Sequence, residues 1–195
     1  MRSRSLAFWP QPGSSASDIV ARSALTEGLH LARRFVGSVR PGAPPAQDLA
    51  WSDQFLSTGE RALLRRMSNP DQRHAVEVAR AVAGELPDAT NAVMAAALLH
   101  DVGKVDSDLR TPARVFATLF WAVVPDERAD EWLSSVGPRN RLASYRRHPE
   151  IGERLLLEAG ADPLTAGWAA DHHKPAEKWR IDAATGDVLK RCDDD

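Results

Sequence analysis

The amino-acid sequence predicts an all-α protein of about eight helices, and two observations carry this fold class. Helix-start and helix-stop signals recur along the chain at intervals that suit short helices with short connections. No run of alternating apolar and polar residues indicates a strand, and no Asn-Gly or Asp-Gly pair indicates a hairpin turn. We expect one helical domain over residues 49–195, preceded by an extension over residues 1–48.

The extension differs in composition from the rest of the chain. It begins with a segment rich in Ser, Pro and Gly and ends with the breaker cluster RPGAPPAQD. Between them lies DIVARSALTEGLHLARRFVGSV, in which apolar residues recur at roughly helical spacing. We expect a disordered start, one amphipathic helix and a proline-rich linker.

Within the domain, capping residues mark where helices begin. Ser57 and Glu60 have the spacing of a capping box before an apolar-periodic stretch. A capping residue followed by proline predicts further helix starts. These pairs are Asn69-Pro70, Thr111-Pro112 and Asp162-Pro163, with His148-Pro149 as a variant that has histidine at the cap. Glycine at positions 84, 103, 137 and 160 is expected where helices end.

Composition and charge exclude several classes of protein. The length of 195 residues suits one domain of about 150 residues plus an extension. With a net charge of −2, no global field recruits nucleic acid or an anionic membrane. The longest apolar stretch, VFATLFWAVV, is about half the length that crosses a bilayer, and the N-terminal apolar run is too short for a signal peptide. The single cysteine, Cys192, excludes a disulfide framework and a four-thiolate zinc module. We expect a cytoplasmic protein with no membrane or nucleic-acid partner.

Two histidines fall on predicted apolar helices. His74 shares a stripe with Val78 and Val82, a pattern that by itself is more typical of a core histidine than of a ligand. The most apolar predicted helix, in NAVMAAALLHDVGK, delivers His100 and Asp101 at its C-terminal end. Burying this pair is costly unless both side chains are paired or bind a cation, which the negative end of a helix favours.

The remaining candidates are ambiguous when each is taken alone. His148 is as typical of a surface N-cap as of a ligand. His172 and His173 point about 100° apart if helical, so one can face a site while the other faces substrate or solvent. Asp193 follows the apolar positions of a short last helix, where an acidic run is normally a solvated tail.

Two further features have both a structural and a functional interpretation. A basic cluster before His148 is either a solvated helix face or a rim that attracts a phosphorylated substrate. Its members are Arg139, Arg141, Arg146 and Arg147. Trp179 either packs in the core or stacks on a base at a pocket mouth.

Taken together, these imidazoles and carboxylates predict a metal site. A ligand set without thiolates suits Mn²⁺, Fe²⁺, Co²⁺, Ni²⁺ or Zn²⁺ with open coordination positions. A carboxylate shared between two such ions would hold a hydroxide for in-line attack on phosphorus. Lys104, one helical turn after His100, is placed to bind a phosphate oxygen.

The chain order of these residues resembles the HD-domain metal-dependent phosphohydrolase superfamily over about residues 55–195. The matching positions are His74, His100-Asp101 in LLHDVGK, His148 in HPEIGERLL, His172-His173 and Asp193. The nearest branch is that of the HD-GYP cyclic-di-GMP phosphodiesterases. No GYP tripeptide follows the paired histidines, so that substrate specificity does not carry over.

The resemblance implies an all-α HD bundle that holds divalent ions, two of them if the whole pattern is used, with Mg²⁺ added to the candidate metals. One ion would be held by His74, His100, Asp101 and Asp193, and the second by His148 with His172 or His173. Asp101 would bridge the ions, Lys104 would assist, and His173 or its neighbour would protonate the leaving group. Asp187 and Asp194 are alternatives for the last ligand, because Asp193 lies two residues before the end of the sequence.

The predicted function is therefore a metal-dependent phosphohydrolase that acts on a nucleotide or another small phosphorylated substrate. The alternative is a metal- or nucleotide-binding regulatory module with little or no turnover. The sequence leaves the substrate, the metal, the oligomeric state and any protein partner open.

Overall fold

The computed structural model describes residues 42–109, 111–121 and 124–194, and these residues contain ten α-helices and no strand. The predicted all-α fold class is confirmed. The helices are α1 (Ala46–Ser52), α2 (Thr58–Arg66), α3 (Asn69–Glu85), α4 (Asn91–Leu99), α5 (Thr111–Trp121), α6 (Glu127–Leu133), α7 (Pro138–Arg146), α8 (His148–Glu158), α9 (Pro163–Asp171) and α10 (Ala183–Asp194). Two 3₁₀-helices, Val102–Asp106 and Ala176–Lys178, follow α4 and α9.

The predicted extension falls largely outside the described residues. Its expected disordered start and its amphipathic helix at positions 18–39 both lie there. At the predicted boundary, α1 runs without a break across positions 48 and 49. Asp48 on α1 pairs with Arg80 on α3, with 2.6 Å between Oδ1 and the guanidinium.

Two of the predicted helix starts are confirmed. The Ser57 hydroxyl accepts a hydrogen bond from the Glu60 amide, and the Glu60 carboxylate accepts one from the Ser57 amide. Asp162 caps α9 by accepting from the Leu164 amide at 2.8 Å, with Pro163 as the first helical residue.

Three other starts differ from the prediction by one residue, and one of them is that of α5, in which Thr111 is already helical. The N-cap of α3 is Ser68, whose hydroxyl accepts from the Asp71 amide, and Asn69 is already helical. The N-cap of α8 is Arg147, so His148 is the first residue of the helix. The His148 side chain is buried in the body of the molecule and does not lie on a solvated cap.

The glycines have different roles from one another. Gly160 follows α8 with a φ of 76°, as predicted for a helix stop. Gly137 caps the start of α7 with a φ of 78°. The prediction was wrong for Gly84, since α3 continues to Glu85, and for Gly103, since α4 has already ended at Leu99. It was also wrong for Gly137, which starts α7 and does not end α6, since α6 stops at Leu133.

The core is centred on α4. Residues 93–99 of this helix are all buried, and they pack against α3 on one side and α9 on the other. The Thr165 hydroxyl on α9 donates to the Ala92 carbonyl at 3.0 Å and holds the two helices together. A smaller apolar cluster joins α5, α6 and α7 around Trp121. Among the described helices, none is long and apolar enough to cross a membrane.

Candidate metal centre

The structure brings together all seven predicted ligand residues. They come from five places in the chain, most of them helix ends around α4. They are His74 on α3, His100 and Asp101 after α4, His148 at the start of α8, His172 and His173 after α9, and Asp193 on α10. Residues separated by up to 119 positions therefore meet at one place.

The cluster is buried on one side and open on the other. His100, Asp101, His148, His172 and Asp193 are all buried. By contrast, the His74 side chain is 29% exposed, and His173 lies at the surface. A solvent-accessible side next to buried charged groups is what a site for a small ligand requires.

Three of the histidines have their ring orientation set by a backbone carbonyl three residues earlier. The Nδ1 atoms of His100, His148 and His172 lie 2.9, 2.8 and 2.8 Å from the carbonyl oxygens of Ala97, Tyr145 and Ala169, respectively. A carbonyl oxygen only accepts, so each Nδ1 must carry a hydrogen. In the neutral ring, each Nε2 then presents a lone pair to the site, as in metal-ligating histidines.

The Asp101 carboxylate lies between two groups of imidazoles. Its Oδ1 is 3.4 Å from Nε2 of His148 and 3.7 Å from Nε2 of His172. Its Oδ2 is 3.5 Å from Nε2 of His100 and also accepts from the Lys104 ammonium. The two oxygens therefore face opposite halves of the cluster, which is the arrangement of a bridging carboxylate.

A second carboxylate, Asp193, completes one of these halves. Its Oδ1 lies 2.9 Å from Nε2 of His74 and 3.4 Å from Nε2 of His100. The two alternatives lie elsewhere, because Asp187 is exposed and Asp194 pairs with Lys190 at 2.6 Å. Of the three aspartates, the geometry favours Asp193 as the ligand.

The ligand atoms form two groups, each within 4.8 Å. We call the first, His74, His100 and Asp101, site A, and the second, Asp101, His148, His172 and His173, site B. Asp193 adjoins site A. In site B, Nε2 of His173 faces Nε2 of His148 at 3.3 Å. Both adjacent histidines therefore belong to site B, where the resemblance implied only one of them.

The residues present fit a divalent cation. Nε2 of His100 and Nε2 of His172 are buried and make no hydrogen bond within the described part of the chain. A buried polar atom without a hydrogen bond costs about 1–3 kcal/mol. A cation between these nitrogens and the carboxylates would satisfy the nitrogens and compensate for the buried negative charge.

The imidazoles of site B are held in the neutral form that metal binding requires. Burial lowers the pKa of His148 and lowers that of His172 to about 4. Partial desolvation of the His173 ring, together with the neighbouring His172 and His148, lowers the pKa of His173 to about 2. In site A the pKa of the buried histidine shifts in the opposite direction. Burial opposes the charged form of His100, but the carboxylates of Asp193 and Asp101 outweigh it and raise its pKa to about 10. A cation at site A therefore competes with a proton for His100.

Lys104 is part of the centre, but its ammonium contacts Asp101 in this structure. The side chain is 17% exposed. Burial opposes its charge, yet the neighbouring Asp101 carboxylate raises the pKa of Lys104, so the ammonium stays protonated. The sequence predicts a contact between Lys104 and a phosphate oxygen. For that role, the Lys104 ammonium would have to contact the Asp101 carboxylate and the phosphate at the same time.

A close approach between two backbones positions His148. A Cβ atom on Gly103 would lie 1.9 Å from the His148 carbonyl oxygen and 2.6 Å from the Gly152 nitrogen. Only glycine at position 103 lets the start of α8 lie against the 3₁₀-helix that follows Asp101. The glycine therefore brings His148 to the Asp101 carboxylate.

Sequence reasoning missed two ion pairs around the centre. Arg114 binds Asp71 through two hydrogen bonds of 2.5 and 2.8 Å and links α5 to the helix that carries His74. Asp171, directly before the paired histidines, is buried and binds Arg180. The signal for Asp171 was an aspartate at the end of a helix that is otherwise almost entirely apolar.

The basic cluster before His148 is already paired. Arg141, Arg146 and Arg147 form ion pairs with Asp108, Asp126 and Asp130, and the Arg139 guanidinium lies over the Trp132 ring. This pairing favours a helix face with local partners over an open anionic-substrate rim. Trp179 also packs, with its ring against Trp168 at 5.4 Å and its indole N–H donating to the Lys174 carbonyl.

In comparisons with known proteins, no protein-family model, no curated protein and no solved structure matches the chain.

Proposed function

We propose that this protein is a metal-dependent phosphohydrolase of the HD-domain type, which cleaves a phosphoester of a nucleotide or another small phosphorylated compound. One observation carries the proposal. The two oxygens of the Asp101 carboxylate face two separate groups of imidazoles, and each group includes a buried Nε2 without a hydrogen bond. Such a shared carboxylate is the expected centre of a two-ion site.

The proposed ligands follow from the geometry of the two sites. Site A, together with Asp193, would hold one divalent ion, and site B would hold the second, with Asp101 common to both. A pair of divalent ions supplies a nucleophile from water at neutral pH and stabilises negative charge on a phosphoryl group. The ligand chemistry, mostly imidazole with two carboxylates, is compatible with Mn²⁺, Fe²⁺, Co²⁺, Ni²⁺ or Zn²⁺, and less so with Mg²⁺.

The chain's own residues orient the substrate. The Lys104 ammonium, fixed by Asp101, is a point charge for a phosphate oxygen at the edge of the site. The exposed side of His173 marks the direction from which a small substrate enters. His173 lies in the ligand set of site B, so we assign the proton that the leaving group takes up to water.

The HD-domain assignment rests on the chain order of the ligands and on their meeting in an all-α fold. That order is His74, His100-Asp101, His148, His172-His173 and Asp193. The single cysteine and the lack of a membrane-spanning helix among the described residues are in keeping with a cytoplasmic enzyme, which is part of the proposal.

The proposal is tested by turnover of metal-loaded protein. Purified chain, stripped with a chelator and reloaded with Mn²⁺, is assayed for phosphate or nucleoside release from phosphomonoesters, phosphodiesters and nucleotides. We expect activity on at least one class that is lost on chelation and restored by metal. Asp101→Asn, which keeps the size but removes the charge, should lower kcat at least 100-fold.

The control is Asp194→Asn, because Asp194 is exposed and pairs only with Lys190 among its described contacts. It should have the activity of the parent. Metal binding at both sites without turnover on any substrate class would contradict the enzymatic proposal and favour a regulatory metal-binding module.

A further inference from the structure

A buried carboxylate lies directly before the paired histidines and has no role in the proposed chemistry. Asp171 is the last residue of α9 and is 1% exposed. A negative charge at a helix C-terminus opposes the helix dipole, and burying it adds a desolvation cost. Such a residue requires donors that compensate for both effects.

Two basic residues of the following loop supply these donors. Asp171 Oδ2 accepts from the Arg180 amide at 3.0 Å and from Arg180 Nε at 2.8 Å. Its Oδ1 accepts from the Arg180 guanidinium at 3.1 Å and from Lys174 Nζ at 2.8 Å. The Lys174 amide also donates to the Asp171 carbonyl at 2.7 Å. Asp171 therefore closes the turn that contains His172 and His173.

Arg180 extends this network to the helix that carries His148. Its guanidinium lies 2.5 Å from the Glu153 carboxylate on α8 and 3.3 Å from the Gly167 carbonyl on α9. The first residue of α8 and the turn after α9 together supply all the histidines of site B. Arg180 and Asp171, which we call the clamp, thus connect the two elements that form that site.

His173 depends on the turn more than its neighbour does. The His172 ring is anchored by the Ala169 carbonyl. Within the described residues, the His173 ring contacts the rings of His148 and His172, which belong to the same site. Its direction is therefore set by the backbone of the turn, and the clamp holds that backbone.

We infer that Asp171 and Arg180 are positioning residues for site B, which hold the turn so that His173 can bind the second ion. This inference rests on the proposed two-ion site and adds to it. Site A draws none of its ligands from the turn, so the clamp should act on one site and leave the other unchanged.

The test is a Mn²⁺ titration of the full chain, monitored by calorimetry and by electron paramagnetic resonance. The parent should bind two ions per chain and show the signal of a coupled pair. Arg180→Gln and Asp171→Asn should each weaken Mn²⁺ binding at site B at least tenfold. Each should change the Mn²⁺ affinity of site A less than twofold. The coupled signal should give way to that of isolated Mn²⁺ at the same concentration.

A double-mutant cycle separates positioning from a general loss of stability. If the clamp acts through His173, Arg180→Gln combined with His173→Ala should bind Mn²⁺ no more weakly than His173→Ala alone. The matched control is Arg154→Gln on α8. This arginine is similarly exposed and pairs with Glu158 and Asp106, away from the turn, so the variant should titrate like the parent.

Two results would overturn the inference. Clamp variants that melt at a lower temperature but keep both Mn²⁺ affinities would make the clamp a structural ion pair only. Additive losses in the double variant would show that it does not act through His173. If the parent itself binds no Mn²⁺, the proposed function is wrong as well, which distinguishes the two failures.

Discussion

At the scale of single residues, the candidate metal centre depends on where a few carboxylate oxygens and ring nitrogens lie. The carbonyl contacts of His100, His148 and His172 fix which nitrogen faces the site. The ligands are thus oriented by backbone atoms, which neighbouring substitutions do not remove. The centre is more sensitive to substitution of a carboxylate, since each carboxylate is a single side chain shared by several imidazoles.

The last carboxylate can be tested alone. Asp193→Asn keeps the size of the side chain but removes the charge that faces His74 and His100. We expect metal binding to weaken at least tenfold, about 1.4 kcal/mol, in a calorimetric titration. Asp194→Asn is the matched control and should bind like the parent. Equal binding by both variants would show that Asp193 is not a ligand.

Gly103 should tolerate no side chain. Gly103→Ala places a methyl group against the His148 carbonyl, so α8 must move away from Asp101. We expect a loss of about 2 kcal/mol in the free energy of unfolding, or roughly 4–8 °C in Tm, together with weaker metal binding.

Gly84→Ala is the control. Its Cβ would meet nothing within 4 Å in helix α3, so the variant should be as stable as the parent or slightly more stable. A Gly103→Ala variant with the parent's Tm and metal affinity would contradict the close approach.

The Asp71–Arg114 pair should make stability depend on pH. Burial raises the pKa of Asp71, but the hydrogen bonds from Arg114 outweigh it, so the net shift is downward. A depressed carboxyl pKa stabilises the fold above the ordinary value of about 4, and this contribution is lost as the pH falls through the folded-state value. Asp71→Asn should therefore cost about 2 kcal/mol at pH 7 in the presence of chelator, because it leaves the largely buried Arg114 guanidinium without its charge partner. The difference from the parent should shrink below about pH 4 in denaturant titrations. A difference that stays constant with pH would contradict the assignment.

At the scale of helices, sequence signals predicted the presence of elements better than their ends. The Ser57 capping box and the Asp162-Pro163 start were predicted correctly, because each uses one unambiguous capping residue. The start of α3 was misplaced because Ser68 and Asn69 are both good caps, and only the hydrogen bond to Asp71 identifies Ser68. The count of about eight helices was low. Two of the ten described helices, α1 and α6, have seven residues each, too short for a clear period.

Helix α10 should gain order when metal binds. It contributes Asp193 to the centre, while Leu189 and Cys192 pack it into the core near α3. Because metal binding adds a constraint at one end of the helix, part of the binding free energy is local folding free energy. We expect amide exchange across positions 187–194 to slow at least tenfold on metal addition, measured by hydrogen-exchange mass spectrometry. Buried residues 93–99 of α4 provide the internal control and should change little. If amide exchange in α10 did not change on metal addition, α10 would not be ordered by the metal centre.

At the scale of the whole molecule, the fold explains why the candidate ligands were visible in the sequence while their network was not. The apolar pattern around His100 and the order of the histidines follow from local spacing, so both could be predicted. The arginine partners of Asp71 and Asp171 come from other parts of the fold, 43 and 9 residues away, and no local pattern pairs them. The same holds for Gly103, whose role depends on a helix that begins 45 positions later.

The central claim is that one chain holds two divalent ions that share the Asp101 carboxylate, and metal content tests it most directly. Protein purified anaerobically, or stripped and reconstituted, is analysed by elemental analysis alongside Asp101→Ala. We expect nearer two ions than one per parent chain and loss of the two-ion state in the variant. No metal in the parent, either as purified or after reconstitution, would contradict it.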